Sequence, residues 1–501
     1  MLLLLSLMGC PKQAPEASGE VVEAAPAAAF EPTVMPVQGS QIVYLQATCQ
    51  AGSAFDAKGK EGLAWVTAQL MREGGAGEAS AELMQGQLFS MGADIEVVVD
   101  KDLVTFRTKG LVDDIDTLMP LFTDILTVPT LDEGVFYRVV DEARAAATSG
   151  LMSSDERLGD AALDRTIFEG GPYAHPVQGL DGALQSLSLE EVQAFHSSAY
   201  TKGSCVYGIG GAVEDKLVQD YIIRMMALPE GQARTAPQAT AALPEGRDLI
   251  VVEKSTGSTG VHFGHGIDVD REHQDYAALY LAMTAFGAHR ESYGRLFREI
   301  RSERALNYGD YAYIEHYVDL DTRDSARQPG TLRATPHFNV WIRPVETSQA
   351  SFATRMALKM TEDFVAEGLT EQEFEQTRVH LQKRVKLWAK DPGRRLGYEL
   401  EAQALGVPNL ADLLVEELDG LSLEQVNGAI QTHLHPDTMQ IVVVSGDGAK
   451  FAAELLKVYE TPMVYKSAAP NSEQAAEDKT YATYQVGEKS WSVIEAEKLF
   501  E

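Results

Sequence analysis

The spacing of apolar residues changes period several times along this chain, and each change marks an element. QIVYLQAT over 41–48 predicts a strand, and EGLAWVTAQLMR over 61–72 sets Leu63, Val66, Thr67 and Leu70 on one helical face. DIEVVVD and LVTFRTKGL then read as paired strands, while 113–127 and 132–149 have acidic starts and apolar faces and predict helices. LSLEEVQAFHSSAY (187–200) predicts a helix that runs into the strand and glycine turn of SCVYGIGGAV.

That last phrase returns. LSLEQVNGAIQTHLHP (421–436) runs into MQIVVVSGDG, with Leu421 placed 234 residues after Leu187 and the glycine turn repeated at Gly446. Upstream, Leu131-Asp132-Glu133 matches Leu369-Thr370-Glu371 at an offset of 238, each triplet opening a helix. Ordered similarity of two elements at nearly one offset predicts duplication of a whole domain. The stretch Ala227–Arg247, broken by Pro229, Gly231, Pro237, Pro244 and Gly246, has no helix or strand pattern and reads as the linker. The expected domains are 40–226 and 248–460, with a linker at 227–247. A C-terminal extension covers 461–501, solvated from Ala468 onward, where Trp491 and Val493 hint at a docked end.

Length and composition fit this division. A chain of 501 residues is too long for one core, and 45% hydrophobic with 23% charged residues is the balance of a folded globular protein. A formal net charge of -32 opposes nucleic acid and anionic lipid surfaces, and leaves basic or unfolded polypeptides as partners. The N-terminus MLLLLSLMGC resembles a bacterial lipoprotein signal over 1–10, with Cys10 as the lipidated residue; it has no Lys or Arg before its short apolar run. Residues 11–39, rich in Ala, Pro, Glu and Val, follow as a flexible tether. These features imply an exported protein, anchored by lipid alone on the periplasmic side of a bacterial envelope. Cys49 and Cys205 lie in separate apolar runs, and sequence leaves open whether they pair or stay as two buried thiols.

The segment GLAWVTAQLMREGGAG (62–77), preceded by AGSAFD, resembles the part of insulinase/pitrilysin peptidases, including the mitochondrial-processing-peptidase type, that carries the inverted zinc motif H-x-x-E-H. That motif sets two imidazoles on one helical face toward zinc, with a glutamate between them to activate the metal-bound water. Here Trp65 stands at the first histidine, Ala68 at the glutamate and Gln69 at the second histidine. Trp and Ala offer a metal no lone pair and Gln only a weak oxygen, so no metal is expected at this motif. The family's third ligand is a glutamate on a later helix, and Glu142 stands at about that place, as a remnant or an ordinary helical acid. His262-x-x-His265 and His433-x-His435 read as incidental pairs, the first because three-apart side chains in a strand point to opposite faces.

RLFREIRSERALNYGDYAY (295–313) resembles the family segment Arg-Glu-x-x-Gly-Leu-x-Tyr, with Arg301 and Tyr308 at its arginine and tyrosine and Ala305 where the glycine is usual. In the family that pair contacts the substrate backbone and supports the oxyanion, as two donors can. The resemblance implies an α+β fold of two homologous domains, each a mainly antiparallel sheet covered by helices, which together enclose a peptide chamber. It further implies a non-zinc subunit, inactive alone. This subunit would pair with a zinc-bearing homologue, or with a second copy, to hydrolyse unfolded peptide. The cofactor, zinc, is expected in the partner and not in this chain. The alternative is a pseudo-peptidase that has kept its chamber as a peptide-binding or assembly scaffold.

Overall fold

The computed structural model describes residues 30–501 apart from 242–243, 289–290, 316–326, 457–459 and 467–468. The signal, Cys10 and most of the expected tether lie outside the described residues. Two sheets organise the rest. The first is built from β1 (Thr33–Pro36), β2 (Ile42–Cys49), β3 (Ile95–Val99), β4 (Val104–Leu111) and β5 (Cys205–Gly211), in the order β1-β5-β2-β4-β3. The second contains β6 (Arg247–Glu253), β7 (Ser258–Gly266), β8 (Gly309–Tyr313), β9 (His337–Glu346), β10 (Gln440–Ser445) and β11 (Glu488–Glu495), in the order β11-β6-β10-β7-β9-β8.

With β11 set aside, the second order repeats the first strand for strand. β1 joins β5 in parallel as β6 joins β10, and the remaining pairs of both five-strand units are antiparallel. The duplication inferred from two sequence phrases is therefore a duplication of topology, and the fold is the expected α+β one. Both copies of the repeated helix, Leu189–Ala199 and Leu423–His433, start with a capping box, Ser188 with Glu191 and Ser422 with Gln425.

Alternation along the strands decides which face is covered by what. In β2, Val43, Leu45, Ala47 and Cys49 are fully buried against the helices Leu63–Glu73 and Ile115–Thr127 of their own half. The opposite face is covered by a helix from the other half. Pro392–Leu405 lies on β2 and β5, and, reciprocally, Asp155–Ile167 lies on β7 and β10. Glycines permit the approach. A Cβ on Gly208 would sit 2.6 Å from Leu396 Cδ1 and 2.9 Å from the Thr33 carbonyl oxygen, and one on Gly159 would sit 2.2 Å from the His262 ring. Gly208, expected in a glycine turn, is thus within β5, where its missing side chain makes room for a helix.

Cys49 and Cys205 stand opposite each other across β2 and β5 and form a disulfide, one of the two states the sequence left open. Two expectations need correction. The tether was expected to run to residue 39, but Thr33–Pro36 forms β1, because its backbone groups find partners along the edge of β5. The C-terminal extension was expected to be solvated, but Ser472–Thr483 is a helix capped by Asn471, and β11 adds in parallel to β6. The described residues of the linker are irregular as expected up to Arg247, which already belongs to β6. The linker is also fastened to the first half, where Arg234 donates to the Gln50 carbonyl at 3.0 Å with its guanidinium 3.9 Å from the centre of the Phe55 ring.

The interlock makes two predictions. Gly159→Ala should lower unfolding free energy by about 1–3 kcal/mol through forced repacking. Gly86→Ala, in a helix where the added methyl meets nothing within 4 Å, should raise it by about 0.5–1 kcal/mol. Chemical denaturation checks both signs. His262 is buried between Gly159 and the Trp341 ring, and burial pushes its pKa down to about 3. In the unfolded chain it titrates near 6.5, so its contribution is complete above that pH and is lost as pH falls toward 3. Wild type should therefore lose stability relative to His262→Leu as pH is lowered from about 6.5 to 4, measured by paired denaturation curves.

Candidate functional site

A cleft of about 510 Å³ opens between the halves. Its first wall is the helix Leu63–Glu73, which starts sharply because Gly62 takes a φ of 109° and the Asp56 carboxylate accepts from the N–H groups of Gly62 and Ala64, both at 2.7 Å. Trp65 and Gln69 both line the cleft, one turn apart on that helix. Ala68, where the motif glutamate would stand, is fully buried in the core. The helix is thus aimed as a metal-binding one would be, while its side chains offer a single amide oxygen.

Glu142 lies elsewhere. It is exposed on the helix Glu133–Ala145 and pairs at 2.7 Å with Arg138, one turn earlier. The residue of this stretch that lines the cleft is Ala146, where the helix widens into a π turn over Ala146–Gly150. The two positions are four residues apart on one helical face, and the one a turn further along is the one that reaches the cleft.

The second wall is β3, the outermost strand of the first sheet. Glu96, Val97, Val98 and Val99 all line the cleft, and no strand pairs with the outer side of β3 among the described residues. A free sheet edge beside a cleft can receive an extended peptide through backbone hydrogen bonds.

The floor is charged and locked. Arg333, from the second half, bonds Asp100 at 2.7 Å and Asp164 at 2.9 Å, and all three side chains are buried. Next to them, the Asp102 carboxylate accepts from Tyr173 Oη and the Ala334 N–H, yet burial still pushes its pKa up to about 6. Burial, with the neighbouring Asp164 charge, raises Asp160 to about 7, and burial lowers Lys101 to about 8. From the second half Trp341 and Arg343 close the cleft, with Arg343 paired to Glu156.

Arg301 and Tyr308 come together as the pattern required, but they do not line this cleft. The Arg301 guanidinium sits 4.4 Å from the centre of the Tyr308 ring and donates to the Tyr308 carbonyl at 2.8 Å. Tyr308 is 57% exposed, and its N–H donates to the carbonyl of the cleft residue Arg343 at 3.2 Å. The pair therefore flanks the cleft at the start of β8, the far edge of the second sheet. Ala305, where the pattern has glycine, keeps a left-handed φ of 52°, so the turn geometry persists although its usual residue is gone.

The insulinase (peptidase family M16) model matches residues 36–178, and the model described as the peptidase M16 inactive domain matches 186–379. The chain belongs to the insulinase family. Among curated relatives, it is 21% identical over 408 residues to the "Non-peptidase homolog YmxG" of Helicobacter pylori, covering 80% of this chain and 88% of that one. It is 19% identical to the "Uncharacterized zinc protease YmxG" of Bacillus subtilis, covering 75% and 86%. A crystal structure of a peptidase M16 inactive domain from Pseudomonas fluorescens shares the fold, with a TM-score of 0.71 and 21% identity, over 83% of this chain and 96% of that one. This chain is thus an insulinase homologue whose motif helix is kept without its ligands. If Ala146 marks the third ligand position, the variant W65H/A68E/Q69H should bind zinc weakly. Adding A146E should tighten binding at least tenfold, while adding E142Q should leave it unchanged, as read by calorimetric titration.

Proposed function

We propose that this chain is the metal-free half of a two-chain peptidase, in which a zinc-bearing homologue supplies the metal and this chain supplies Arg301, Tyr308 and part of the peptide-holding surface. The observation that carries this reading is the cleft itself: the bare edge of β3 is kept beside Trp65 and Gln69, although the helix between has no metal ligands. An open gap along a strand whose outer edge is unpaired among the described residues supports a use for that edge, because an exposed edge otherwise invites aggregation.

The pair fits a role toward a partner's site better than toward its own cleft. Arg301 is fixed by its bond to the Tyr308 carbonyl, and the Tyr308 side chain is half exposed at a sheet edge, where a second chain can meet it. Arginine and phenol are donors able to hold negative charge that develops on a carbonyl oxygen. The place of action follows the same line. The Cys49–Cys205 disulfide suits an oxidising compartment, which agrees with a signal ending at Cys10 and lipid anchoring at the envelope. No helix among the described residues is long and apolar enough to cross a membrane.

A scaffold reading has one observation in its favour: Arg301 and Tyr308 are absent from the cleft lining. Kinetics of the co-purified complex separate the two. Arg301→Ala should lower kcat on an unfolded peptide by about 10²-fold, as removal of a transition-state donor does, with complex assembly unchanged in gel filtration. Turnover that survives both Arg301→Ala and Tyr308→Phe removes the catalytic role and leaves the scaffold.

A further inference from the structure

We infer that His273, Asp275 and His433 form a binding site for a divalent transition ion, of which zinc is the natural occupant, in the second half of the chain and apart from the cleft. The three residues come from two elements. His273 and Asp275 lie in the turn before the helix Tyr276–Gly287, and His433 is the last residue of the helix Leu423–His433. One donor atom from each lies within 4.8 Å of the other two, with Asp275 Oδ2 and His433 Nε2 at 2.8 Å. A four-coordinate zinc with bonds of ~2.0–2.1 Å holds its ligands about 3.4 Å apart. The separations present bracket that value, and small rotations of partly exposed side chains close the set around an ion. Two imidazoles and one carboxylate are a donor set that zinc accepts, with the remaining positions open to water.

The turn is built to hold its shape. Arg271, immediately before it, is buried and bonds Glu315 at 2.7 Å and Glu401 at 3.2 Å; Tyr276, immediately after it, donates its hydroxyl to the same Glu315 at 2.9 Å. Both flanks of His273 and Asp275 are therefore fixed to one buried carboxylate. Within the turn, the His273 N–H donates to the Asp270 carbonyl at 3.1 Å, and the Tyr276 N–H donates to the His273 carbonyl at 3.0 Å. The Asp275 N–H donates to His273 Nδ1 at 3.1 Å, with the ring edge to face with His433 at 5.0 Å between centroids; an ion would take the ring's lone pair in place of this bond. What is preorganised is the backbone that carries the ligands, so little of its freedom is lost on binding.

Charge favours a cation as well. Asp268, Asp270 and Glu272 are in the same turn, and its single cation, Arg271, is already engaged by buried carboxylates. The negative end of the Leu423–His433 helix dipole meets the site at His433. In sequence, His433 looks like half of an incidental pair with His435. The structure instead joins it to Asp275, 158 positions away, which no sequence spacing announces. An ion here would clasp the turn to the end of the repeated helix. It would bind only the folded chain, and so would stabilise it by linkage.

The test uses the full chain, stripped with a chelator and titrated with zinc chloride. Calorimetry should show one high-affinity ion per chain, with Tm raised by about 2–3 °C once zinc is about 100-fold above Kd. His273→Ala, His433→Ala and the near-isosteric Asp275→Asn should each weaken binding at least tenfold and abolish the Tm rise. His435→Ala should retain both. Metal-free Tm and circular dichroism equal to wild type show that the variants fold, and Asp275→Asn keeps the test sound if an alanine variant does not. The site is refuted if wild type takes up no zinc at 100-fold excess, if uptake persists in H273A/H433A, or if uptake is lost instead in Q69A. None of these outcomes depends on a peptidase partner, so the site and the two-chain reading fail separately.

Discussion

Each half of this chain covers the back of the other half's sheet with one of its own helices, and the close packing of those two helices sets the position of everything else. The approach depends on missing side chains, at Gly159 against His262 and at Gly208 against Leu396. A sheet has two faces to protect from water, and a single domain of this design has helices for only one. The exchange completes both cores at once, so the halves are held as a pair and the gap between them has fixed walls.

The walls are fixed further by charge. Arg333 crosses from the second half to Asp100 and Asp164 in the first, all three buried. Such a triad adds little net stability over an apolar replacement, yet removing one member leaves a buried charge uncompensated at a cost of about 3–5 kcal/mol. Its value here is positional, since it pins the segment before β9 to the floor of the cleft. Asp160, raised to about 7 by burial and the neighbouring Asp164 charge, and Lys101, lowered to about 8 by burial, lie on the same floor. The β3 edge, Trp65 and Gln69 therefore face a gap whose far side is held by the second half.

What could be read from sequence was local or repeated. The strand and helix periods of the first half, the duplicated phrases at Leu187 and Leu421, and the empty motif at Trp65, Ala68 and Gln69 each need only a short window of residues. What escaped needs distance. The helix exchange joins Gly159 to His262 and Leu396 to Gly208, and no window spans them. β1 falls inside the stretch read as a tether because its four residues are too few to show a strand period and stay half exposed, while Trp491 and Val493, the hint of a docked end, lie in β11. Glu142 was placed by counting residues from the motif, while the cleft is lined one turn further along, by Ala146. Arg301 and Tyr308 lie side by side, since seven residues around a left-handed turn bring them together, but their offset from the cleft lay in the sheet order.

A division of labour between two chains is the central claim, and reconstitution tests it most directly. The zinc-bearing homologue and this chain would be purified separately, and hydrolysis of an unfolded peptide measured for each alone and for an equimolar mixture. The claim predicts hydrolysis only in the mixture, saturating at one copy of this chain per zinc-bearing chain. Full activity of the homologue alone, unchanged when this chain is added, would contradict it.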